Sequence, residues 1–300
     1  MARNCRFPVV LAMGANRQGL DSIQQLQGYL LHTLNGRTDT EGKAIFENIP
    51  TGEDVIAIAR ARHQDMMFAG QPLALSPRQG GHVASVQVFD VSDDKSQLSV
   101  KTHHVVMKAH PGSLEITEYM QLKNSCDFAI TSSERDNQNR TIVLDIKLPQ
   151  GFRNLKSLSY FEDQALVVSD DGFYDTMAVP PGEQHAAFSY TLDVPSATRD
   201  IVKTITLPTS EFVLFAELGA AKIRGLGQAA EQAMRSSGEL MQYYSRNDLS
   251  PGDEIAFALT GLEAGSSGLA KWIIAGVVIS ALAVLVVLRL SPKDEANPQA

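Results

Sequence analysis

The sequence is poor in cysteine, and this scarcity excludes a class of protein. The two cysteines, Cys5 and Cys126, can form at most one bridge and are not spaced as CxxC. A disulfide framework is therefore excluded, and zinc or redox motifs built on cysteine pairs are not indicated. With 44% hydrophobic and 20% charged residues, the composition is that of an ordinary globular protein and excludes a disordered or collagen-like chain.

Basic residues are outnumbered by acidic ones, and the imbalance is concentrated in the body of the chain. The full chain has 26 Lys and Arg against 34 Asp and Glu, a net charge of −8. Residues 21–270 hold 32 of the acids and 20 of the bases. Because so acidic a body repels phosphate backbones, we expect no nucleic-acid partner.

The known sequence motifs of catalysis are also missing. There is no GxSxG nucleophile elbow, no HExxH, and no Walker or dinucleotide-binding glycine loop. Gly225 and Gly227 form a lone glycine pair outside a βαβ context. We therefore expect no catalytic, cofactor-binding or metal-binding residues and no enzymatic activity. An enzyme whose residues gather from distant strands is the alternative.

Histidine, aspartate and cysteine residues at four places were considered as ligands or nucleophiles, and we interpret each as structural. Adjacent strand residues face opposite sides, so neighbouring histidines do not share a ligand. Neither aspartate group has the spacing of a calcium loop, and the cysteine has no basic neighbour to activate its thiol. The four places are His103, His104 and His110; Asp90, Asp93 and Asp94; Asp170 and Asp171; and Cys126.

The longest apolar run lies near the C-terminal end. Trp272 begins and Leu288 ends a stretch of 17 residues without a charge, bracketed by Lys271 and Arg289. Such a helix spans roughly 26 Å, and the flanking side chains can extend it to the headgroups. We predict one transmembrane helix over residues 271–290, with the lipid bilayer as its partner. A buried helix of a soluble core is the alternative.

Two small residues in this run, Gly276 and Ser280, are spaced as a small-xxx-small pair. This spacing is typical of close helix–helix packing in membranes. We therefore identify them as a candidate helix–helix contact.

Residues 1–20 have the layout of a signal peptide, with Arg3 and Arg6 before a short apolar stretch that contains Pro8. Ordinary cytosolic sequence is an equal alternative. Two basic residues follow the apolar run and one precedes it, so the positive-inside rule places the tail in the cytoplasm and the body outside. Without a signal peptide, the chain is tail-anchored with a cytosolic body.

Alternation of apolar and polar residues with period two runs through most of the body, and Gly-, Pro- and Asp-rich turns separate the runs. The fold class predicted is mainly β, with two antiparallel β-sandwich domains followed by one C-terminal transmembrane helix. Residues 220–237 break the pattern and are predicted as a short helix or a long loop. Three of the alternating runs are residues 114–122, 142–148 and 188–194.

A polar stretch at residues 92–97 divides the body into two units. We predict a first β-sandwich over residues 22–92 and a second over residues 97–262. A flexible linker follows over residues 263–270, and residues 291–300 form a polar tail.

Residues 38–52, TDTEGKAIFENIPTG, resemble the carboxypeptidase regulatory-like domain, a small transthyretin-like sandwich. In this pattern Asp39 and Gly42 make a tight turn, Ala44 and Phe46 point inward, and Pro50 begins the next turn. Ala44 stands where the family usually has an aromatic residue. The resemblance covers residues 25–92 and implies a fold, and sometimes contact with carbohydrate or protein, but no catalysis. The later region resembles the part that accompanies such domains in bacterial membrane-anchored proteins.

These observations favour a non-enzymatic, single-span membrane protein that presents β-sandwich domains for binding or scaffolding in the bacterial cell envelope. One alternative is a carbohydrate-binding module. Because the one tryptophan lies in the apolar run, its sugar platform would need other aromatic residues, and we interpret those as core and turn residues. Another is an accessory or assembly subunit of a membrane complex. The candidate sugar-binding aromatics are Tyr160, Phe161, Phe173 and Tyr174.

Overall fold

The computed structural model describes residues 8–15, 30–217, 221–227, 234–236 and 239–263. The secondary structure of this part is mainly β, as the alternation of apolar and polar residues predicts. It contains twenty strands and no helix in those ranges. Within residues 220–237, which were expected to form a short helix or a long loop, the described part forms the strands β17 (Lys222–Arg224) and β18 (Met234–Ser236).

The first sheet is built from the N-terminal part of the chain. Its order is β2-β1-β3-β4, and β5 also pairs with β3. The strand β1 lies between β2 and β3, so residues 8–15, which fall in the segment with the layout of a signal peptide, occupy the middle of this sheet. The strands are β1 (Pro8–Ala15), β2 (Leu30–Arg37), β3 (Val55–His63), β4 (Met66–Ala69) and β5 (Leu73–Ala74).

The loop between β2 and β3 contains the turn expected at Asp39. The Asp39 carboxylate accepts hydrogen bonds from the backbone N–H of Glu41 and Lys43, at 2.8 and 2.9 Å. Gly42 has φ +79, a left-handed conformation that glycine adopts at low cost. Phe46 packs against a small core around Ala57 and Leu75, so the inward direction predicted for Phe46 is confirmed.

A seven-stranded sheet forms the centre of the second unit. Its order is β11-β14-β8-β7-β16-β19-β18. The strands β7 and β16 run parallel, whereas a wholly antiparallel sheet was expected. The strands are β7 (Leu98–His110), β8 (Ser113–Asn124), β11 (Phe152–Ser159), β14 (Gly182–Asp193), β16 (Thr209–Glu217) and β19 (Glu239–Leu249), together with β18.

Smaller sheets pack on the inner face of the seven-stranded sheet. One has the order β10-β13-β12, one has the order β15-β20-β17, and β6 pairs in parallel with β9. Their strands are β6 (Val91–Ser92), β9 (Ala129–Ile130), β10 (Leu144–Lys147), β12 (Leu166–Ser169), β13 (Gly172–Asp175), β15 (Thr198–Thr204) and β20 (Glu254–Thr260), together with β17.

The main core lies between these layers. Period-two alternation along the strands builds this core, and β8 is an example. Alternate residues from Leu114 to Leu122 are buried while their neighbours are half-buried, as the sequence of β8 predicts. Phe173 of β13 packs against Phe188 of β14, with ring centroids 4.9 Å apart. Each such apolar side chain contributes about 1.5 to 3 kcal/mol when fully buried.

The first sheet contributes to the same core. Met66 and Phe68 of β4 are buried in the main cluster, and Phe89 packs against it 6.1 Å from Phe68. Residues that precede the polar stretch 92–97, Phe89 among them, therefore pack against the core of the second unit.

The predicted transmembrane helix over residues 271–290, with Trp272, Leu288, Gly276 and Ser280, lies outside the described residues, as does most of the linker. Within the ranges that the structure describes, no helix has the length and hydropathy needed to cross a bilayer.

Candidate functional site

An open cleft of about 660 Å³ lies where the first sheet meets the second unit. Its walls come from the β3–β4 turn, the loop before β10, and the segment that leads into β12 with β12 itself. The lining mixes charged and apolar side chains. The lining includes Asp65, Arg140, Asp163, Gln164, Val167 and Val168.

One wall is a loop held rigid around Asp136. Its Oδ1 accepts hydrogen bonds from the backbone N–H of Gln138 and Arg140, at 2.9 and 2.7 Å. Its Oδ2 accepts hydrogen bonds from the Arg140 guanidinium, 2.7 Å from Nε, and from the Tyr174 hydroxyl. Burial raises the pKa of Asp136, but these donors lower it well below its usual range. Arg140 is therefore fixed at the cleft with its charge compensated.

The opposite wall is joined to the first sheet by an ion pair. The Arg60 guanidinium of β3 donates to Glu162, with 2.9 Å between Nη2 and Oε2, and both side chains are mostly buried. Burial raises the pKa of Glu162, and the charge of Arg60 offsets part of that rise. The backbone carbonyl of Glu162 also accepts from Ala165 and Leu166 N–H, which orients the start of β12. The cleft is thus preformed by contacts between the two units.

A second buried carboxyl, Asp175, lies at the end of β13. It is 1% exposed, and its Oδ1 accepts a hydrogen bond from Met177 N–H at 3.1 Å. Burial raises the pKa of Asp175 to about 7, since the backbone N–H donors only partly offset the loss of water. The Tyr160 hydroxyl is buried and has no hydrogen-bond partner among the described residues. This region therefore contains a buried hydroxyl without a hydrogen-bond partner and a buried carboxyl whose hydrogen bonds do not fully replace its hydration.

The most buried charges form a cluster between the layers, away from the cleft. Glu118 of β8 lies 2.7 Å from His103 Nε2 and 2.8 Å from Lys203 Nζ, and it accepts from the Tyr190 hydroxyl at 2.8 Å. Burial raises the pKa of Glu118, but Lys203 and His103 lower it to about 2. Burial lowers the pKa of His103, so the imidazole is neutral near pH 7.

The cavity beside this cluster, lined by His103 and Lys203, is only about 10 Å³. A space of that size holds at most one water molecule, which leaves no room for a substrate. We interpret the cluster as a structural ion pair with its hydrogen bonds, which links β8 of the seven-stranded sheet to β15.

A row of aromatic side chains lies on the outer face of the seven-stranded sheet. The rings of His104 and Phe215 are 5.5 Å apart, and those of Phe215 and Tyr243 are 6.1 Å apart. Tyr119 is directly opposite His104 on the neighbouring strand. Phe215, Tyr243 and Tyr119 are half-buried, so part of each ring reaches the surface.

The predicted opposite orientation of the adjacent histidines is confirmed. His103 joins the buried cluster, while His104 lies on the outer face. His110 is exposed, with its Nε2 3.3 Å from Glu115. Nowhere in the described ranges do three His, Cys, Asp or Glu side chains converge as metal ligands.

The candidate calcium ligands do not gather into a group of three metal-binding side chains within the described ranges. Asp90 lies 3.2 Å from His63, and Asp94 accepts from Ser96 N–H. Asp171 pairs with Lys147 at 2.6 Å, while Asp93 and Asp170 are exposed. Gly225 and Gly227 both have positive φ in the segment after β17, where their conformational freedom serves a bend of the chain.

The aromatic residues considered for a sugar platform are part of the fold's interior. Phe161, Phe173 and Tyr174 are buried, and Tyr160 is half-buried. The interpretation of these residues as core and turn residues is confirmed. Cys126 is a half-buried free cysteine, and Cys5 lies outside the described residues.

The sequence contained few signals for the cleft. Arg60 and Glu162 are 102 residues apart, and no local pattern predicts their pairing. The run Leu166–Ser169 before Asp170-Asp171-Gly172 does predict a strand and a turn, but not that its edge would be open.

No protein-family model and no curated protein sequence matches the chain. Several solved structures resemble it weakly. One is a proposed protease from Parabacteroides distasonis, 13% identical with a TM-score of 0.34, for which the match covers 55% of this chain and 40% of that one. Another is an M1 zinc metallopeptidase from Deinococcus radiodurans, 10% identical with a TM-score of 0.31, covering 55% and 42%. At these values neither activity nor fold family follows from the likeness.

Proposed function

We propose that this chain is a non-enzymatic binding protein of the bacterial cell envelope that captures a partner in the cleft between its two β units. The observation that carries the proposal is the cleft itself, which is open, about 660 Å³ in volume, and mixed in polarity. Sites of this size that combine apolar walls with a few fixed polar groups are typical of specific binding.

The fixed geometry of the walls supports the proposal. Arg60 and Glu162 join the two units on one side, and Asp136 holds Arg140 on the other. Because these groups are already ordered, binding needs little further ordering of the protein, which preserves affinity.

The two units are proposed as β-sandwich domains, the first of them carboxypeptidase regulatory-like. For the first unit, support comes from the turn at Asp39 and the packing of Phe46 on Ala57 and Leu75. For the second, it comes from the packing of the smaller sheets on one face of the seven-stranded sheet.

We further propose that residues 271–290 anchor the chain in the bilayer, with two orientations to be distinguished. The charge flanking the apolar run favours the body outside the cytoplasm. The position of β1 between β2 and β3 favours retention of residues 8–15, and therefore a tail-anchored chain with a cytosolic body. Protease added to intact spheroplasts digests an epitope within residues 97–262 only if the body lies outside.

Photo-crosslinking from the cleft tests the binding function. A photoreactive amino acid replaces Gln164, which lines the cleft and is exposed, in cells that express the full-length chain. The matched control places it at Asp200, an exposed residue of β15. We expect one discrete adduct from position 164 and none from position 200. Absence of an adduct at 164, or the same adducts from both positions, would overturn the proposal, as would substrate turnover by the purified chain.

Carbohydrate binding is a second candidate because of the aromatic row on the outer face. Sugars stack on partly exposed rings, and Phe215 and Tyr243 lie side by side there. If this candidate is right, the full chain binds members of a glycan array, and Tyr243→Ala abolishes that binding while the protein stays folded. If the chain binds no glycan on the array, the carbohydrate-binding candidate is wrong.

A further inference from the structure

The strand β12 is an open edge of the sheet β10-β13-β12. It pairs with β13 on one side, and no strand of the described part pairs with its other side. Asp170 and Asp171 form a two-residue turn, which makes Ser169 and Gly172 the closing hydrogen-bonded pair of the hairpin. By alternation, the N–H and C=O of Val168 point away from β13.

The hydrogen bond of Leu166 agrees with this alternation. Its N–H donates to the Glu162 carbonyl, which also lies away from β13. The backbone of Val168 is therefore directed toward the open side of the strand, and its side chain is 59% exposed.

This edge lacks the protection that the neighbouring edges have. The other edge strands of the two three-stranded sheets carry charges that reach the surface: Lys147 in β10, Asp200 in β15 and Arg224 in β17 are examples. Charged side chains on edges prevent accidental pairing with other chains. The sequence of β12 is Leu-Val-Val-Ser, with no charge. An uncharged, exposed edge is what pairing with an incoming strand requires.

The charge around β12 specifies the incoming strand. Asp65 and Asp163 line the cleft and are exposed, and Asp170 follows the strand in the turn. None of these three carboxylates forms an ion pair with any other described residue. Since the charge of Arg140 is compensated by Asp136, the cleft is negative.

We propose that the cleft binds an extended, basic polypeptide segment that pairs with β12 as a fourth strand of its sheet. Its backbone bonds to Val168, its alternate apolar side chains cover the exposed side chain of Val168, and a Lys or Arg lies against Asp65 and Asp163. The four residues of β12 offer about 13 Å of edge, enough for about four residues of the partner. This inference rests on the proposed binding function and names the class of partner.

The test uses three labelled octapeptides, Thr-Val-X-Val-X-Val-X-Thr with X as Lys, Glu or Ser, and the full chain in phosphatidylcholine nanodiscs. We expect the Lys peptide to bind at least about tenfold more tightly than the Glu peptide by fluorescence polarisation, a difference of about 1.4 kcal/mol. The amide of Val168 should gain protection from hydrogen exchange when the Lys peptide is bound.

Matched variants locate the site. Val168→Pro removes an outward N–H, and Val202→Pro does the same on β15, where Val202 is also exposed. The double variant Asp65→Asn/Asp163→Asn removes the charge, with Asp200→Asn as its control. We expect each cleft variant to weaken binding of the Lys peptide at least about fivefold, with the controls within about twofold.

Each outcome decides between the two proposals. If no octapeptide binds, if the Lys and Glu peptides bind equally, or if the cleft variants match their controls, the strand-pairing inference is wrong. An adduct from position 164 in cells would then leave the binding function standing with a partner of different chemistry. If position 164 gives no adduct either, both proposals fail.

Discussion

At the scale of the residue, Glu118 is the side chain whose neutralisation should cost the most stability. It is fully buried, and the ammonium of Lys203 lies 2.8 Å away with 5% of its side chain exposed. Glu118→Gln keeps the shape but leaves Lys203 as an uncompensated buried charge. Removing one partner of such a pair costs about 3 to 5 kcal/mol in the free energy of unfolding. Chemical denaturation measures it.

The control for this variant lies on the same strand. Glu115→Gln removes an exposed carboxylate beside His110, and we expect a change within about 0.5 kcal/mol. Adding Lys203→Met to Glu118→Gln should recover part of the loss, since the ammonium is then gone. Equal losses for the two glutamine variants would show that Glu118 and Lys203 contribute as exposed charges do.

Asp175 should make the protein less stable as pH rises. Its pKa is about 7 in the folded protein against 3.8 when exposed, so between these values the folded state holds a proton that the unfolded state has released. Stability therefore falls as pH rises from about 4 to 7. Asp175→Asn stays neutral and lacks this loss. We expect its unfolding free energy, relative to the natural protein, to increase by a few kcal/mol over that range.

A pH series of denaturation curves checks this expectation. Only the difference between variant and natural protein is used, because other carboxyls, Glu118 among them, add their own dependence. For Glu118 the sign is opposite: its lowered pKa stabilises the fold above about pH 4.5, and that stability is lost toward pH 2. Asp200→Asn, at an exposed site, should give a flat difference. A flat difference for Asp175→Asn would contradict the proton uptake.

At the scale of the element, β13 depends on a glycine that admits no side chain. Gly172 has φ +155, and a Cβ there would lie 2.0 Å from the Ile146 carbonyl oxygen of the paired strand β10. Because the backbone of β13 fixes the position of that Cβ and the oxygen belongs to the backbone of β10, neither can move without breaking the pairing. Gly172→Ala should cost on the order of 3 kcal/mol or more, or prevent folding. Gly80→Ala, where a Cβ meets nothing within 4 Å, should change stability by less than about 0.5 kcal/mol in the same assay.

The sequence predicts individual strands and turns better than it predicts which strands pair with each other. The alternation over Leu114–Leu122 predicts which face of β8 is buried, because a strand places successive side chains on opposite sides. The Asp39 turn is equally local. The parallel pairing of β7 with β16 depends on where the chain returns after some hundred residues, and no period-two pattern contains that information. The short β17 was missed because Lys222–Arg224 offers only one apolar position.

The candidate site was not predictable for the same reason. Its walls come from residues near 65, 140 and 165, which are brought together only by the packing of the first sheet on the second unit. Taken separately, the sequence of each wall segment indicates only a polar turn. The open edge of β12 is likewise a property of the whole sheet, since a strand's sequence does not state which of its sides will be paired.

At the scale of the whole molecule, the Arg60–Glu162 pair should govern how the two units unfold. Met66 and Phe68 already bury the first sheet against the main core, and the ion pair adds the polar part of the same contact. Arg60→Met leaves Glu162 buried without its cation, and losing one partner of such a pair costs roughly 2 to 5 kcal/mol. We expect this loss of stability to appear first at the contact between the first sheet and the second unit, referred to as the junction.

Hydrogen exchange separates a local loss from a global one. In Arg60→Met, amides of β3 and β4 should lose more protection than those of β8 and β14, because the first sheet can open while the seven-stranded sheet remains folded. Arg62→Met, an exposed change on the same strand, should leave both sets unchanged. If β8 loses as much protection as β3, the two units unfold as one cooperative body and the cleft cannot open independently of the core. Loss confined to β3 and β4 would show that the junction, and with it the cleft, has its own stability.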